Sequence, residues 1–269
     1  MVVVDVDHPE AADQGGRGRR RLFGGLDPIP VVSAAVTVAL FVGLRLFAPG
    51  LVGGPEGEGR LREPSEATNG PHAFLAVTPQ GRPVGYDPCR PIHFVVNRAG
   101  EPPDGMAVIH DAVREVEAAS GFRFVDDGFT QEKPNTRRPP MQPGRYHQRW
   151  APVLIAWANH AEYPDVGGDI QGTGGSTSIR TKGPESARYV TGQIVLNREG
   201  FAQTLGGGED GRLVARAIAM HELGHVVGLD HVNDPGELMA PEFTGLVGFG
   251  PGDREGMARL RAGPCWPDD

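Results

Sequence analysis

The feature that most constrains this chain of 269 residues is the run of eleven residues from His221 to His231. It begins with H-E-x-x-H, and two histidines four positions apart lie on the same face of a helix, one turn above each other. Both imidazoles can therefore reach one metal ion. Gly228 permits a sharp exit from the helix, and His231 follows three residues later as a third nitrogen donor. Three neutral imidazoles leave one position of a tetrahedral zinc ion open, which is typical of a catalytic site.

Glu222 directly follows the first histidine and projects beside the pair, where it suits the general base of a metal-assisted hydrolysis. A bare H-E-x-x-H also occurs by chance, but here the extended pattern H-E-x-x-H-x-x-G-x-x-H is complete. Met239 comes eight residues after the last histidine, where this extended motif is followed by a methionine-containing turn. The sequence therefore predicts one zinc ion held by His221, His225 and His231, with Glu222 as the base.

Composition excludes some classes of partner and leaves the cysteines open to two interpretations. The net charge of −8 argues against a nucleic-acid-binding protein, which would carry a basic face. We expect a monomer. The chain has only two cysteines, Cys89 and Cys265, and neither has metal-ligand spacing. In an exported protein they would form one disulfide between the start of the domain and its C-terminus; the alternative is two unrelated buried thiols.

The N-terminal part predicts export. Residues 1–28 are polar, contain several arginines and have no periodic apolar face, which is typical of a disordered cytoplasmic tail. Residues 29–48 are apolar except for Arg45 near their end, so they are long enough for a transmembrane signal anchor with the following chain outside the cell membrane. A cleaved signal peptide and a secreted protein are the alternative, although no convincing cleavage site follows. Residues 49–71 resemble a flexible Gly/Pro/Glu linker, and 72–269 the catalytic domain.

Within this domain, the spacing of apolar residues predicts both helices and strands. Helices are predicted over 105–119 with Asp104 as cap, over 212–228, and from Asp253 onward. Strands are predicted at 92–97, 122–125, 152–158, 176–181 and 189–197. The continuous apolar run 152–158 is typical of a buried central strand, and the polar alternating segment 176–181, after a glycine-rich loop over 165–175, of an edge strand. The order strand, helix, strand, strand predicts a right-handed crossover and a mostly parallel sheet.

In the region of this motif, the sequence resembles the metzincin metallopeptidases, and among them the matrixin-like branch. The resemblance rests on a D-P-x-x-L-M-x-P segment at 234–241 and on seven residues: His221, Glu222, His225, Gly228, His231, Pro235 and Met239. By order of elements it covers about 90–262. It implies an α+β, zincin-like fold: a twisted five-stranded mixed sheet with an antiparallel edge strand, two long helices and a short C-terminal helix.

The same resemblance implies a zinc-dependent endopeptidase acting on peptide or protein substrates, which pair with the edge strand by β-augmentation. By resemblance, Glu222 takes a proton from the attacking water and passes it to the leaving amine. Met239 forms an apolar floor beneath the imidazoles and is not a ligand. The primed-side substrate pocket is expected to be lined by Pro241, Glu242, Phe243 and Thr244.

Some features of the matrixin pattern are missing, and they keep other functions open. The pro-peptide cysteine switch is absent, and Val232 stands where matrixins often have serine. Asp165 and Asp169 could hold calcium through oxygen atoms, or could belong to a mobile loop. The alternative to an enzyme is a catalytically inactive cell-surface binding module that keeps a zinc-stabilised fold. The presence of Glu222 favours the enzyme.

Overall fold

The computed structural model describes residues 3–5, 61–181 and 184–266, and a mixed β-sheet lies at its centre. The strands are β1 (Val3–Asp5), β2 (Ala73–Phe74), β3 (Ile92–Asn97), β4 (Phe124–Phe129), β5 (Val153–Ala158), β6 (Gly172–Arg180), β7 (Arg188–Asn197) and β8 (Leu229–Asp230). Their order in the main sheet is β1-β6-β7-β5-β3-β4, and β2 pairs antiparallel with β8 in a small second sheet. Strands β4, β3, β5 and β7 run parallel, whereas β6 is antiparallel to β7.

Two long helices pack against this sheet, and shorter ones complete the fold. The helices are α1 (Gly105–Ser120), α2 (Pro143–Tyr146), α3 (Arg198–Leu205), α4 (Gly208–Val227) and α5 (Pro251–Arg261), with a 3₁₀ turn at Pro184–Ser186. Helix α1 contacts α4, and α4 lies along β6 and β7. The predicted α+β fold with five mixed strands, two long helices and a short C-terminal helix is confirmed; β1 is a three-residue addition at the β6 edge.

The central strand owes its position to its composition. All six residues of β5 are buried, because the strand is covered on both faces and paired on both edges. Strand β3 has the predicted bounds, and the connection from β3 through α1 to β4 joins two parallel neighbours. The predicted parallel arrangement of these strands and the central position of 152–158 are thus confirmed.

Two strands differ from the sequence-based bounds. Strand β4 begins at Phe124, because Phe122 turns into the core while the carbonyl of Arg123 accepts a hydrogen bond from the Ile92 amide. Strand β6 begins at Gly172, inside the segment 165–175 that the glycine content predicts as loop. Glycine is normally depleted in strands, but here its lack of a side chain lets β6 approach α4 closely.

The helix starts also differ in detail. Asp104 precedes α1 with a φ of 64° and makes no capping side-chain bond, so the predicted cap is wrong. Instead, the Glu101 carboxylate accepts a hydrogen bond from the Met106 amide. Helix α4 begins at Gly208, four residues before the predicted start, and α2 and α3 were not predicted.

The predicted linker 49–71 needs correction over residues 61–71, which lie on the domain surface and hydrogen-bond to residues 235–254. We call residues 61–71 the strap. The sequence shows no apolar pattern there because main-chain groups and arginine side chains make these contacts. Residues 29–48 lie outside the described part of the chain, so the signal anchor stays a prediction. None of the helices in the described ranges has the length and apolar character needed to span a membrane.

The two ends of the domain meet on one side. Cys89 and Cys265 form a disulfide with their Cα atoms 5.4 Å apart. The next residue, Trp266, lies against the guanidinium groups of Arg82 and Arg188, which are 5.9 and 4.9 Å from its ring centre. The C-terminal segment is therefore held by one covalent bond and by cation–π contacts.

Candidate metal centre

Helix α4 carries the first two histidines of the site. His221 and His225 are one turn apart and buried, and the helix ends two residues after His225. Gly228 then takes a φ of 126°, which favours glycine, and a side chain there would meet Leu260 and the Val84 carbonyl at 2.9 and 3.0 Å. This turn leads into β8 and returns His231 to the end of the helix.

The three imidazoles converge on one point. Their Nε2 atoms form a triangle in which each pair is 3.1 Å apart. Tetrahedral zinc with bonds of about 2.0–2.1 Å places its nitrogen ligands about 3.3 Å apart, so the spacing fits this ion. Two of the rings are oriented by hydrogen bonds from their other nitrogen atom. Nδ1 of His221 donates to the Leu238 carbonyl at 2.7 Å, and Nδ1 of His225 donates to the Leu229 carbonyl at 2.9 Å. These bonds fix the tautomer that leaves the Nε2 lone pairs free for a metal.

The electrostatics of the triad also suit a cation. Burial lowers the pKa of His221 to about 3, with a smaller contribution from His231. Burial lowers the pKa of His225 well below its usual value, and that of His231 in the same direction. All three rings are therefore neutral at physiological pH, which is the protonation state a metal requires.

Glu222 is wholly buried beside the triad, and neither of its carboxylate oxygens has a hydrogen-bond partner among the described residues. Burial alone raises its pKa well above the usual value. Buried polar groups in proteins are almost always paired, so an orphaned carboxylate next to three converging imidazoles indicates a site built to receive a cation and water. The space around it is set by β6: a Cβ on Gly172 would lie 2.9 Å from Cγ and Oε1 of Glu222.

Met239 lies where a floor beneath the histidines would be. It is buried, and a Cβ on Gly224, between the two helical histidines, would meet its sulfur at 2.6 Å. The Met239 carbonyl accepts a hydrogen bond from the Val232 amide, which follows the third histidine. The methionine thus packs against α4 and is bonded to the chain that carries His231.

Two buried carboxylates hold the turn that contains Met239, and neither role is predicted from the sequence. The oxygens of Glu237 accept from the Gly252 and Asp253 amides at 2.9 Å each. In return, the Asp253 carboxylate accepts hydrogen bonds from the Leu238 amide at 2.6 Å and from the Met239 amide at 3.4 Å. It also caps α5 by accepting a hydrogen bond from the Gly250 amide at 2.9 Å. We call this reciprocal pair the carboxylate clasp. It fixes Leu238, whose carbonyl orients His221. Burial, and to a smaller degree the charge of Glu237, raises the pKa of Asp253 to about 7.

A narrow cavity adjoins His221. Its volume is about 10 Å³, the space that one water molecule needs. The lining residues are Ala217, Ile218, His221, Glu237, Leu238, Ala240, Glu242, Phe243, Thr244 and Leu246. Of the four residues predicted to form the substrate pocket, Glu242, Phe243 and Thr244 line this cavity and Pro241 does not.

The calcium prediction finds no support. Within the described ranges, only two groups of three or more potential ligand side chains lie close together: the three histidines, and Asp87 with the two disulfide-bonded cysteines. Asp165 and Asp169 belong to neither group. In the same loop, the Nδ1 atom of His160 is 3.1 Å from the Val166 carbonyl.

Comparison with known protein families agrees with the motif. Residues 156–260 match the matrixin family, a range that contains the three histidines, Glu222 and Met239. Among solved structures, the chain matches high choriolytic enzyme 1, a hatching-enzyme zinc protease from the medaka fish Oryzias latipes. The identity is 18%, the TM-score 0.24, and the match covers 59% of this chain and 50% of that one, so the chain spans about half the length of that enzyme. No curated protein matches. The predicted resemblance to matrixins is confirmed over residues 156–260.

Proposed function

We propose that this matrixin-like chain is a zinc endopeptidase. The observation that carries the proposal is the triangle of Nε2 atoms 3.1 Å apart beside the unpartnered carboxylate of Glu222. His221, His225 and His231 would hold the ion. When bound, zinc supplies Lewis acidity, which polarises a peptide carbonyl and acidifies the water that attacks it.

Glu222 acts as the proton carrier in this proposal. One carboxylate oxygen accepts a proton from the attacking water, and the same group later gives this proton to the nitrogen of the leaving amine. Burial favours the protonated form of Glu222, and the positive charge of a bound ion favours the ionised form. The two influences on the pKa of Glu222 therefore oppose each other.

The substrate would lie along the outer edge of β6. Strand β1 pairs with residues 178–180 of this edge, and residues 172–177, next to Glu222, have no strand partner on that side in the described chain. An extended peptide can add there by main-chain hydrogen bonds. Since the cavity beside His221 has room for about one water molecule, we expect the residue after the cleaved bond to be small: glycine, alanine or serine.

Export, with the domain tethered outside the cell membrane by residues 29–48, is part of the proposal; secretion after cleavage is the alternative. In a tethered chain, residues 3–5 would lie on the opposite side of the membrane from β6, so tethering and the pairing of β1 with β6 are alternatives that the following experiment separates. The full chain is expressed in cells and probed by membrane fractionation and by external protease. Tethering predicts a membrane-bound domain that external protease reaches and a protected N-terminus. A soluble chain that keeps residues 3–5 contradicts it.

The substitution Glu222→Gln tests the mechanism. We expect peptide hydrolysis to be lost while one zinc per chain is retained, because the amide keeps the shape of the side chain but cannot accept the proton. Metal analysis and cleavage of a peptide library are measured on the same preparations. Persistent hydrolysis contradicts the role of Glu222. A wild-type protein that binds one zinc ion but cleaves no peptide supports the inactive binding module instead.

A further inference from the structure

We propose that Arg62 is a positioning residue that sets substrate specificity from outside the matched domain. It lies in the strap and fixes the pocket-lining segment, residues 241–247, which forms one wall of the cavity beside His221. The proposal rests on the peptidase function proposed above and adds to it the part of the chain that decides which side chain the cavity admits.

Arg62 binds the pocket-lining segment through both its main chain and its side chain. Its amide donates to the Gly245 carbonyl at 2.8 Å, and its carbonyl accepts from the Val247 amide at 3.1 Å, as in one rung of a parallel sheet. Its guanidinium donates to the Thr244 carbonyl at 3.0 Å and to the Pro235 carbonyl at 2.8 Å. The Arg62 side chain thus links Pro235 to Thr244, at the two ends of a stretch of chain that lines much of the cavity.

The rest of the strap has its own contacts with the domain, separate from those of Arg62. Arg254 donates to the Ser65 carbonyl at 2.8 Å from the first turn of α5. Near the end of the strap, Gly70 packs so closely on Glu237 and on the Gly252 amide that any side chain there would collide with the carboxylate clasp. The strap therefore follows the segment from the cavity to α5, and it is fixed at both ends.

The cavity makes the position of this wall important. Thr244 and Leu246, the neighbours of Gly245, both line the cavity, and so does His221. Because the volume corresponds to one water molecule, an outward shift of the wall by about one ångström changes which side chain fits. Loops without such fixed contacts move most easily, and the pocket-lining segment has no helix or strand of its own.

Arg62 is exposed, so its side-chain bonds to the two carbonyls are worth only a modest free energy. Two hydrogen bonds from a charged donor correspond to about a tenfold change in an equilibrium constant under these conditions. The backbone rung with Gly245 and Val247 remains when the side chain is removed. The expected effect is therefore a wall that opens more often, with the histidine triad unaffected.

The experiment compares the full chain with its variants Arg62→Ala, Arg62→Lys and, as control, Arg254→Ala. Peptides that differ only in the residue after the cleaved bond are used as substrates, and zinc content is measured for each protein. We expect Arg62→Ala to raise KM for small residues about tenfold, with kcat within about twofold, and to improve cleavage before leucine relative to alanine. Lysine should restore part of the preference, and Arg254→Ala should keep the wild-type preference.

A wild-type preference in Arg62→Ala overturns the proposal. If the wild-type chain cleaves none of the peptides, the proposed function fails, and the strap is judged by hydrogen exchange. Faster exchange of the Val247 amide in Arg62→Ala, but not in Arg254→Ala, then supports a positioning role. Equal exchange in wild type and Arg62→Ala overturns it. A loss of zinc in Arg62→Ala also overturns it, because the residue would then act on the metal centre and not on the pocket.

Discussion

Glu222 is positioned by a glycine, not by a hydrogen bond. No described polar group bonds to its carboxylate, so packing alone determines where the side chain lies. A Cβ on Gly172 would lie 2.9 Å from Cγ and Oε1 of Glu222, and a Cβ on Gly174, two residues further along β6, would meet the main chain of Glu222 at 2.3 Å. The Glu222 side chain is thus held between its own helix and the backbone of a strand.

Adding one methyl group at residue 172 should lower kcat and leave the zinc content unchanged. In Gly172→Ala, the new Cβ would lie 2.9 Å from Cγ of Glu222, closer than such atoms can approach, so the carboxylate must move. We expect kcat to fall at least tenfold, since small displacements of a catalytic group cost about a hundredfold in known cases. Peptide cleavage and zinc content are measured together.

Gly175 supplies the matched control for this substitution. It lies in the same strand, and a Cβ there would have no atom within 4 Å. Gly175→Ala should keep the wild-type kcat and zinc content, and any effect on peptide binding along this edge of β6 would change KM. An equal loss of activity in both variants would mean that β6 tolerates no alanine for general reasons, and the positioning of Glu222 by Gly172 would be wrong.

At the scale of residues, the sequence predicts the ligands better than their surroundings. The spacing of His221, His225 and His231 is a local property, because one helix and one glycine turn bring the three rings together. The role of Gly172 is not local. Its contact with Glu222 joins residues fifty positions apart, and in the sequence the glycine has the same appearance as any loop glycine.

Helix α5 supports the metal centre through the carboxylate clasp. Its N-terminal amides bind Glu237, while Asp253 binds the amides of the turn that carries Leu238 and Met239. Carboxylates are favourable at a helix N-terminus, where free amides and the helix dipole both point toward them. The element thus does more than cover the core: it fixes the carbonyl that orients His221.

The clasp should make stability depend on pH. The pKa of Asp253 is raised from an ordinary value of 3.8 to about 7, so between these values the folded state binds more protons than the unfolded state. The contribution of Asp253 to stability is therefore present at pH 4 and is lost as the pH rises through 7. Relative to Asp253→Asn, the unfolding free energy of the wild type should fall by at most about 4 kcal/mol over this range.

Urea unfolding of both proteins from pH 4 to 8, in the presence of a chelator, measures this difference. The buried histidines have lowered pKa values and change stability in the opposite direction at acidic pH. They do so in the wild type and in the variant alike, so the difference between the two curves isolates Asp253. A constant difference over the whole range would show that Asp253 titrates normally.

At the scale of elements, the apolar pattern predicts the core and fails at polar contacts. Strands β3 and β5 and helix α1 were predicted closely because burial imposes a period that the sequence displays. The strap has no such period, since it is held through carbonyls, amides and two arginines. For the same reason, Glu237 and Asp253 resemble surface acids until their amide partners are known.

At the scale of the whole molecule, the disulfide closes most of the domain into a ring. Cys89 and Cys265 are 176 residues apart in sequence, and the loop between them contains α4 and the three histidines. In the chain-entropy account, a cross-link over so long a loop restricts the unfolded chain strongly. The bond thus stabilises the metal centre without contacting it.

Reduction should lower the free energy of unfolding by about 2–5 kcal/mol, because the unfolded chain regains the entropy that the ring removes. Denaturant unfolding with and without reductant measures the change. The double variant Cys89→Ser, Cys265→Ser is the control: it should have the stability of the reduced wild type and should not respond to reductant. Equal stability of the oxidised and reduced wild-type protein would contradict the prediction.

The ring and the strap together determine how the domain would respond to a mechanical pull. Residues 61–71 precede Cys89 and lie outside the covalent loop, and they continue the segment that leads back to the predicted membrane anchor. A force applied through the N-terminal end of the strap acts first on the hydrogen bonds of Arg62. These bonds would break one after another. The core is reached last. Force on the tether would therefore widen the substrate pocket long before it disturbed the three histidines.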